Sequence, residues 1–260
     1  MYYLSSMISQ MLAKLFVLFR WKQHTVLSNA RLFNLPNPEQ VYPKLIRHIF
    51  RELLLVVRNK NFHTQHITPR ALDALPKLRK GGILLTAHFG NWEWMGPWLR
   101  SLDVPLMATY KPLRNPTMNR LMQFLRNRNG SYTFPLSNQP FALRTHFRKH
   151  RLFTILADQD FRENNPKLHP FFSHPAHCNP LPETLLRLFP ESPIFMARVF
   201  RNASQELTLD IFPLFPSSPA ELYPLYHLHL EDWIRESPEQ YIGLTHRRLL
   251  STLRTAYSHT

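Results

Sequence analysis

Residues 81–96 read GGILLTAHFGNWEWMG and hold, in order, a strand, a turn and the start of a helix. Ile83 to Ala87 form a short run, apolar but for Thr86, with glycines before it and His88 after it. Such a run fits a strand covered on both faces, the kind found in parallel sheets. Gly90 then interrupts the chain, and a helical pattern occupies the segment near 91–101. The chain has only 6 Gly in 260 residues, against 23 Pro, yet Gly81, Gly82, Gly90 and Gly96 all fall in this one stretch. Permissive backbone is therefore concentrated here, for a tight turn or the close approach of a ligand.

Further along, VPLMATY (104–110), SYTFPL (131–136), LFTILAD (152–158) and PIFMARVF (193–200) predict strands. Helical patterns near 116–128, 140–149 and 181–189 separate them. LTLDIFPLF (207–215) predicts an edge strand, because Pro213 cannot donate to a ladder. The Pro-rich stretch 164–182 predicts a loop, and helices near 219–235 and 238–255 close the chain.

Upstream, Leu45, Ile46, Ile49, Phe50, Leu53, Leu54 and Val57 make one apolar helical face. Thr68-Pro69 predicts the start of another helix, with an N-cap and Pro in the first turn. Strands alternating with helices predict one α/β domain, a mostly parallel central sheet flanked by helices. Residues 1–22 predict a separate membrane-anchoring or amphipathic helix, leaving residues 23–260 as the main domain. Ser5, Ser6, Ser9, Gln10 and Lys14 interrupt the apolar residues of that helix, making it marginal for crossing a bilayer. It has neither the basic n-region nor the cleavage site of a signal peptide.

Composition narrows the function. One Cys rules out a disulfide framework and multi-cysteine metal sites. A formal net charge of +15 suits nucleic acid, an anionic membrane face, an acidic protein or a phosphorylated ligand. No P-loop, Rossmann glycine fingerprint or G-x-S-x-G elbow occurs. Neither His174, His177 and Cys178 nor His227 and His229 have a recognisable metal spacing, so no metal or cofactor is expected.

His88 falls at a strand's carboxyl end, where open α/β sheets bind ligands. Glu93 is five residues on, about 140° away on an ideal helix, so the two would not share a helical face. A turn at Gly90 can return the carboxylate to the imidazole, where it would fix the tautomer and raise the basicity of His88. Backbone N–H groups at Gly90 and Asn91 are then candidates for stabilising an oxyanion. The competing reading is a structural His and a surface Glu beside a turn. Asp158 ends another predicted strand, and either orients the catalytic pair or a basic neighbour or caps a loop. Lys111, Arg114, Arg120, Arg126 and Arg128 surround one predicted helix, either as a phosphate-binding cluster or as a solvated basic face.

With these residues in place, the chain resembles the bacterial late lipid A acyltransferases, the lauroyl/myristoyl transferase family within the wider H-x4-D/E glycerolipid acyltransferase group. GGILLTAHFGNWEWMG resembles the family's first block, and TYKPLRNPTMNRLMQFLRNRNG (109–130) its second. LADQD (156–160), PFFSHPAHCNPLPETLLRL (170–188), SPIFMARVFR (192–201) and PEQYIGLTHRRL (238–249) follow in the same order. RWKQHTVLSNARLFNLPN (20–37) is similar to the basic segment after the family's membrane anchor. The chain departs from the family at Ser173, His174 and His177-Cys178-Asn179, and at Ile242-Gly243, where a Trp is usual.

The resemblance implies a glycerolipid acyltransferase-like fold and a catalytic dyad of His88 and Glu93. It implies transfer from acyl-acyl carrier protein to a hydroxyl of a lipid A precursor at the cytoplasmic face of the inner membrane. Arg126 or Arg128, with Asp158, would bind phosphate or shape the site. The implied partners are acyl carrier protein, a phosphorylated lipid and the membrane, with no nucleic acid. Three other readings stand beside this one: another lipid acceptor, an inactive relative serving as a membrane partner, and a basic nucleic-acid-binding protein. The last leaves His88, Glu93 and Asp158 at predicted strand ends unexplained.

Overall fold

The computed structural model describes residues 2–58, 66–104, 106–110, 112, 115–128, 132–135, 152–158 and 167–246. Strand β2 (Gly82–Thr86) is buried at every position, as its apolar run requires. It pairs in parallel with β5 (Leu152–Leu156) on one side and β8 (Ile194–Arg201) on the other. β3 (Leu106–Tyr110) and β4 (Tyr132–Pro135) extend the sheet in parallel beyond β5. β9 (Leu207–Leu214) returns antiparallel to β8, and the two-residue β1 (His66–Ile67) pairs with β9, giving the order β1-β9-β8-β2-β5-β3-β4. The expected α/β domain with a mostly parallel sheet is therefore the observed fold.

β9 is not quite the edge strand expected, because β1 covers Thr208 and Leu209. The β1 pairing stops short of Pro213, the residue with no N–H to donate.

Side chains alternate along the strands into two apolar layers. Ile83 and Leu85 face a core built with α2 (Gln23–Leu32), α3 (Pro38–Arg58) and α8 (Leu222–Glu236). Leu84, Phe195, Ala197 and Val199 face the other, closed by α4 (Pro69–Leu78) and α5 (Met95–Ser101). Thr68 caps α4 as expected, its hydroxyl accepting from the Ala71 N–H.

The first helix, α1 (Tyr2–Leu18), is not an appendage. Phe16 packs on Phe50 of α3 at 4.7 Å, and the Tyr42 hydroxyl donates to the carbonyls of Phe16 and Trp21. The opposite face leaves Met7, Met11, Leu15 and Leu18 exposed at helical spacing. Among the described residues, no helix is long and apolar enough to cross a membrane.

Two sequence expectations need correction. The stretch 164–182 is not one loop: β6 (Lys167–Phe171) and β7 (His174–Cys178) form an antiparallel hairpin, and α7 (Leu181–Leu188) begins directly after it. Its two-residue turn, Phe172–Ser173, has positive φ at both positions without glycine or asparagine. Stacking of Phe172 on Phe33 at 4.1 Å and its N–H bond to Glu231 hold that turn. The helix expected near 238–255 is instead two short 3₁₀ turns, Pro238–Gln240 and Ile242–Thr245, as far as residue 246. The helix expected near 140–149 lies outside the described residues.

Candidate active site

Register builds the site. β2 and β5 run parallel with Thr86 opposite Leu156, and Ala157 N–H continues the ladder to the Thr86 carbonyl. Two residues further on, His88 and Asp158 emerge side by side from the carboxyl ends of adjacent strands. Asp158 Oδ1 lies 2.8 Å from His88 Nδ1, and its Oδ2 accepts the His88 backbone N–H at 3.0 Å. A carboxylate at Nδ1 holds the proton there and puts the lone pair on Nε2. Burial alone would push the Asp158 pKa up, but the charge of His88, its two hydrogen bonds and the nearby His246 outweigh burial and lower it. Tyr226 and Tyr241 stand near the same carboxylate, and burial together with that charge keeps both phenols protonated.

This arrangement corrects the expectation that Glu93 fixes the tautomer: Asp158 takes that position, because parallel pairing brings it to Nδ1 directly. Glu93 sits on the 3₁₀ turn Trp92–Trp94, gripped by Arg126 from α6 (Pro116–Arg128). The guanidinium forks onto it, Nε to Oε2 at 3.0 Å and Nη2 to Oε1 at 2.5 Å. Arg126 therefore fixes the orientation of the Glu93 carboxylate. Arg128 ends α6, and its side chain lies outside the described residues, as do those of Lys111 and Arg114.

Gly90 and Asn91 play other parts than the one expected. Their N–H groups donate to the carbonyls of Gln240 at 2.8 Å and Val199 at 2.7 Å, so neither serves as an oxyanion donor. Gly90 is needed for close backbone approach. Its φ is +60°, and a Cβ there would meet the Val199 oxygen at 2.0 Å. The Asn91 side chain turns away from His88 into the core, donating to Glu52 of α3 at 2.8 Å.

Several residues at the site are not evident from sequence. His246 brings its ring within 6.1 Å of the His88 ring, and Trp92 packs edge-on to His88 at 4.9 Å. The carbonyls of the 244–246 turn are tied to α2 and its N-cap. Asn29 donates to Leu244 and His246, and Lys22 to Thr245. Glu52 and His48 did carry a signal, as polar residues on the same helical face as Val41, Leu45 and Val56. Among the described residues, no group of three or more His, Cys, Asp or Glu could hold a metal ion.

Fold and site together define an α/β domain with a carboxylate-oriented imidazole at the sheet's carboxyl end. The chain belongs to the bacterial lipid A biosynthesis acyltransferase family, whose model matches residues 40–251. It is accordingly an acyltransferase that serves lipid A-like acceptors. No curated protein matches it.

Proposed function

We propose that this chain transfers a fatty acyl group from acyl-acyl carrier protein to a hydroxyl of a phosphorylated lipid A precursor, at the cytoplasmic face of the inner membrane. The observation that carries the mechanism is the 2.8 Å contact between His88 Nδ1 and buried Asp158. His88 Nε2 takes the proton of the acceptor hydroxyl, and the oxygen attacks the thioester carbon. The tetrahedral intermediate expels the carrier thiolate as the C–S bond breaks, and the thiolate takes the proton back from His88. The products are an ester and the free carrier thiol. Asp158 stabilises the imidazolium formed in between. Glu93, held in one orientation by Arg126, is the second member of the catalytic pair.

The exposed stripe Met7, Met11, Leu15 and Leu18 supports a helix lying on the membrane surface, not through it. The +15 charge supports attraction to anionic lipid and to an acidic carrier protein. The test is transfer from a panel of acyl-acyl carrier proteins to a Kdo-bearing lipid A precursor, by detergent-purified wild type and His88→Ala. Transfer by the wild type that vanishes in a folded mutant is expected. No transfer from any donor would overturn the lipid A assignment, and transfer to lysophospholipids or glycolipids instead would reassign the acceptor.

A further inference from the structure

Glu52 lies on the buried face of α3, away from the reacting groups, yet four donors converge on its carboxylate. Asn91 Nδ2 reaches Oε2 at 2.8 Å, and Arg201 places Nε on Oε1 at 2.9 Å and Nη2 on Oε2 at 3.3 Å. Arg51 Nε adds a bond to Oε1 at 3.1 Å. Four donors match the lone-pair capacity of a carboxylate. Burial opposes the charge, but Arg201, His48 and Arg51 outweigh it and hold the Glu52 pKa below its ordinary value.

Two of these partners, Asn91 and Arg201, lead to the turn between His88 and Glu93. The Asn91 N–H is held by β8 and its carbonyl by Trp94, so its side-chain bond to Glu52 fixes the third side. The Gly90 N–H is held by Gln240, which also exchanges two hydrogen bonds with the backbone of Arg201. His48 Nε2 approaches the Gly90 carbonyl at 3.4 Å. We propose that Glu52 is a positioning residue for acyl transfer, fixing the 88–93 turn through Asn91 and Arg201 so that His88 and Glu93 keep their relative placement. The proposal rests on the acyl-transfer reading above. Glu52 touches neither reacting group; it acts through the backbone that carries both.

Glu52→Gln is nearly isosteric, but its amide NH₂ turns a donor toward donors whichever way it points. Because misplacement by about 1 Å can cost about 10²-fold, kcat is expected to fall about 10- to 100-fold with KM for donor and acceptor within about threefold. Asn91→Ala should fall similarly, and the double variant should lose little more than either single one, because both break the same bond. Glu52→Gln with Asn91→Asp exchanges donor and acceptor between the two positions and should recover part of the rate. A Glu52→Gln enzyme within threefold of wild-type kcat would overturn the proposal, as would losses that simply add in the double variant. If Glu52→Gln does not fold, Asn91→Ala decides by the same rate criterion. The His88 imidazole NMR signals of wild type and the folded variant give a readout free of substrate. They are expected to move, and unmoved signals would overturn the positioning role. A wild type inactive on every donor and acceptor would count against the substrate reading alone.

Discussion

Arg126 meets Glu93 through two roughly parallel hydrogen bonds, a geometry that lysine cannot reproduce. Arg126→Lys should therefore lower kcat by about 10-fold or more, since only a point charge remains to orient the carboxylate. Gly90→Ala forces a side chain toward the Val199 carbonyl at positive φ, and should cost at least about 2 kcal/mol, read as a lower urea midpoint. An unchanged midpoint would show that the strand approach at Gly90 is looser than described. At this scale the sequence was legible in part. His88, Asp158 and the need for glycine at 90 followed from strand ends and glycine spacing. That Asp158 orients the imidazole was one of the readings the sequence left open, and the β2–β5 register decides it by making neighbours of two residues 70 apart in the chain. The sequence could not say which arginine of the 114–128 cluster meets Glu93.

Helix α2 forms part of the site's support. Asn29 is fully buried and donates to two carbonyls of the turn that ends at His246. Asn29→Ala should cost about 2 kcal/mol, from two lost buried hydrogen bonds, and chemical denaturation measures it. A change of a few tenths would mean the turn holds itself. The central strands are legible in the sequence because buried parallel strands are continuously apolar. The β6–β7 hairpin was hidden because Pro170 and Pro175 resemble loop residues, while the contacts that hold its turn, Phe33 and Glu231, come from distant helices. A separate helix near 238–255 is expected because the two 3₁₀ turns after Ser237 keep a locally helical spacing of apolar residues.

Charge and titration act on the whole molecule. His48 and His227 are pushed down to about 4 from an ordinary 6.5, chiefly by burial, so both stay neutral in the folded chain. The unfolded chain binds protons first as pH falls, so stability is present above pH 6.5 and is lost progressively from 6.5 toward 4, by up to about 3 kcal/mol for each histidine. Asp158, Glu52 and Asp210, all held below their ordinary values, act in the same direction at lower pH. The urea midpoint should drop clearly between pH 7 and pH 5, and less so in a His48→Gln, His227→Gln variant. A flat profile would mean the two rings take up protons without unfolding. The +15 charge was legible from composition, and binding to anionic vesicles should weaken as salt rises; binding that ignores salt would leave the α1 stripe alone to explain it.

In the proposed reaction, Asp158 makes His88 the base of acyl transfer. Steady-state transfer by Asp158→Asn, with fold confirmed by circular dichroism, tests it most directly. An amide at this position no longer enforces the required tautomer or supports the imidazolium, so kcat should fall by about 10³- to 10⁴-fold while KM changes little. An Asp158→Asn enzyme within a few-fold of wild type would return the orienting role to another group.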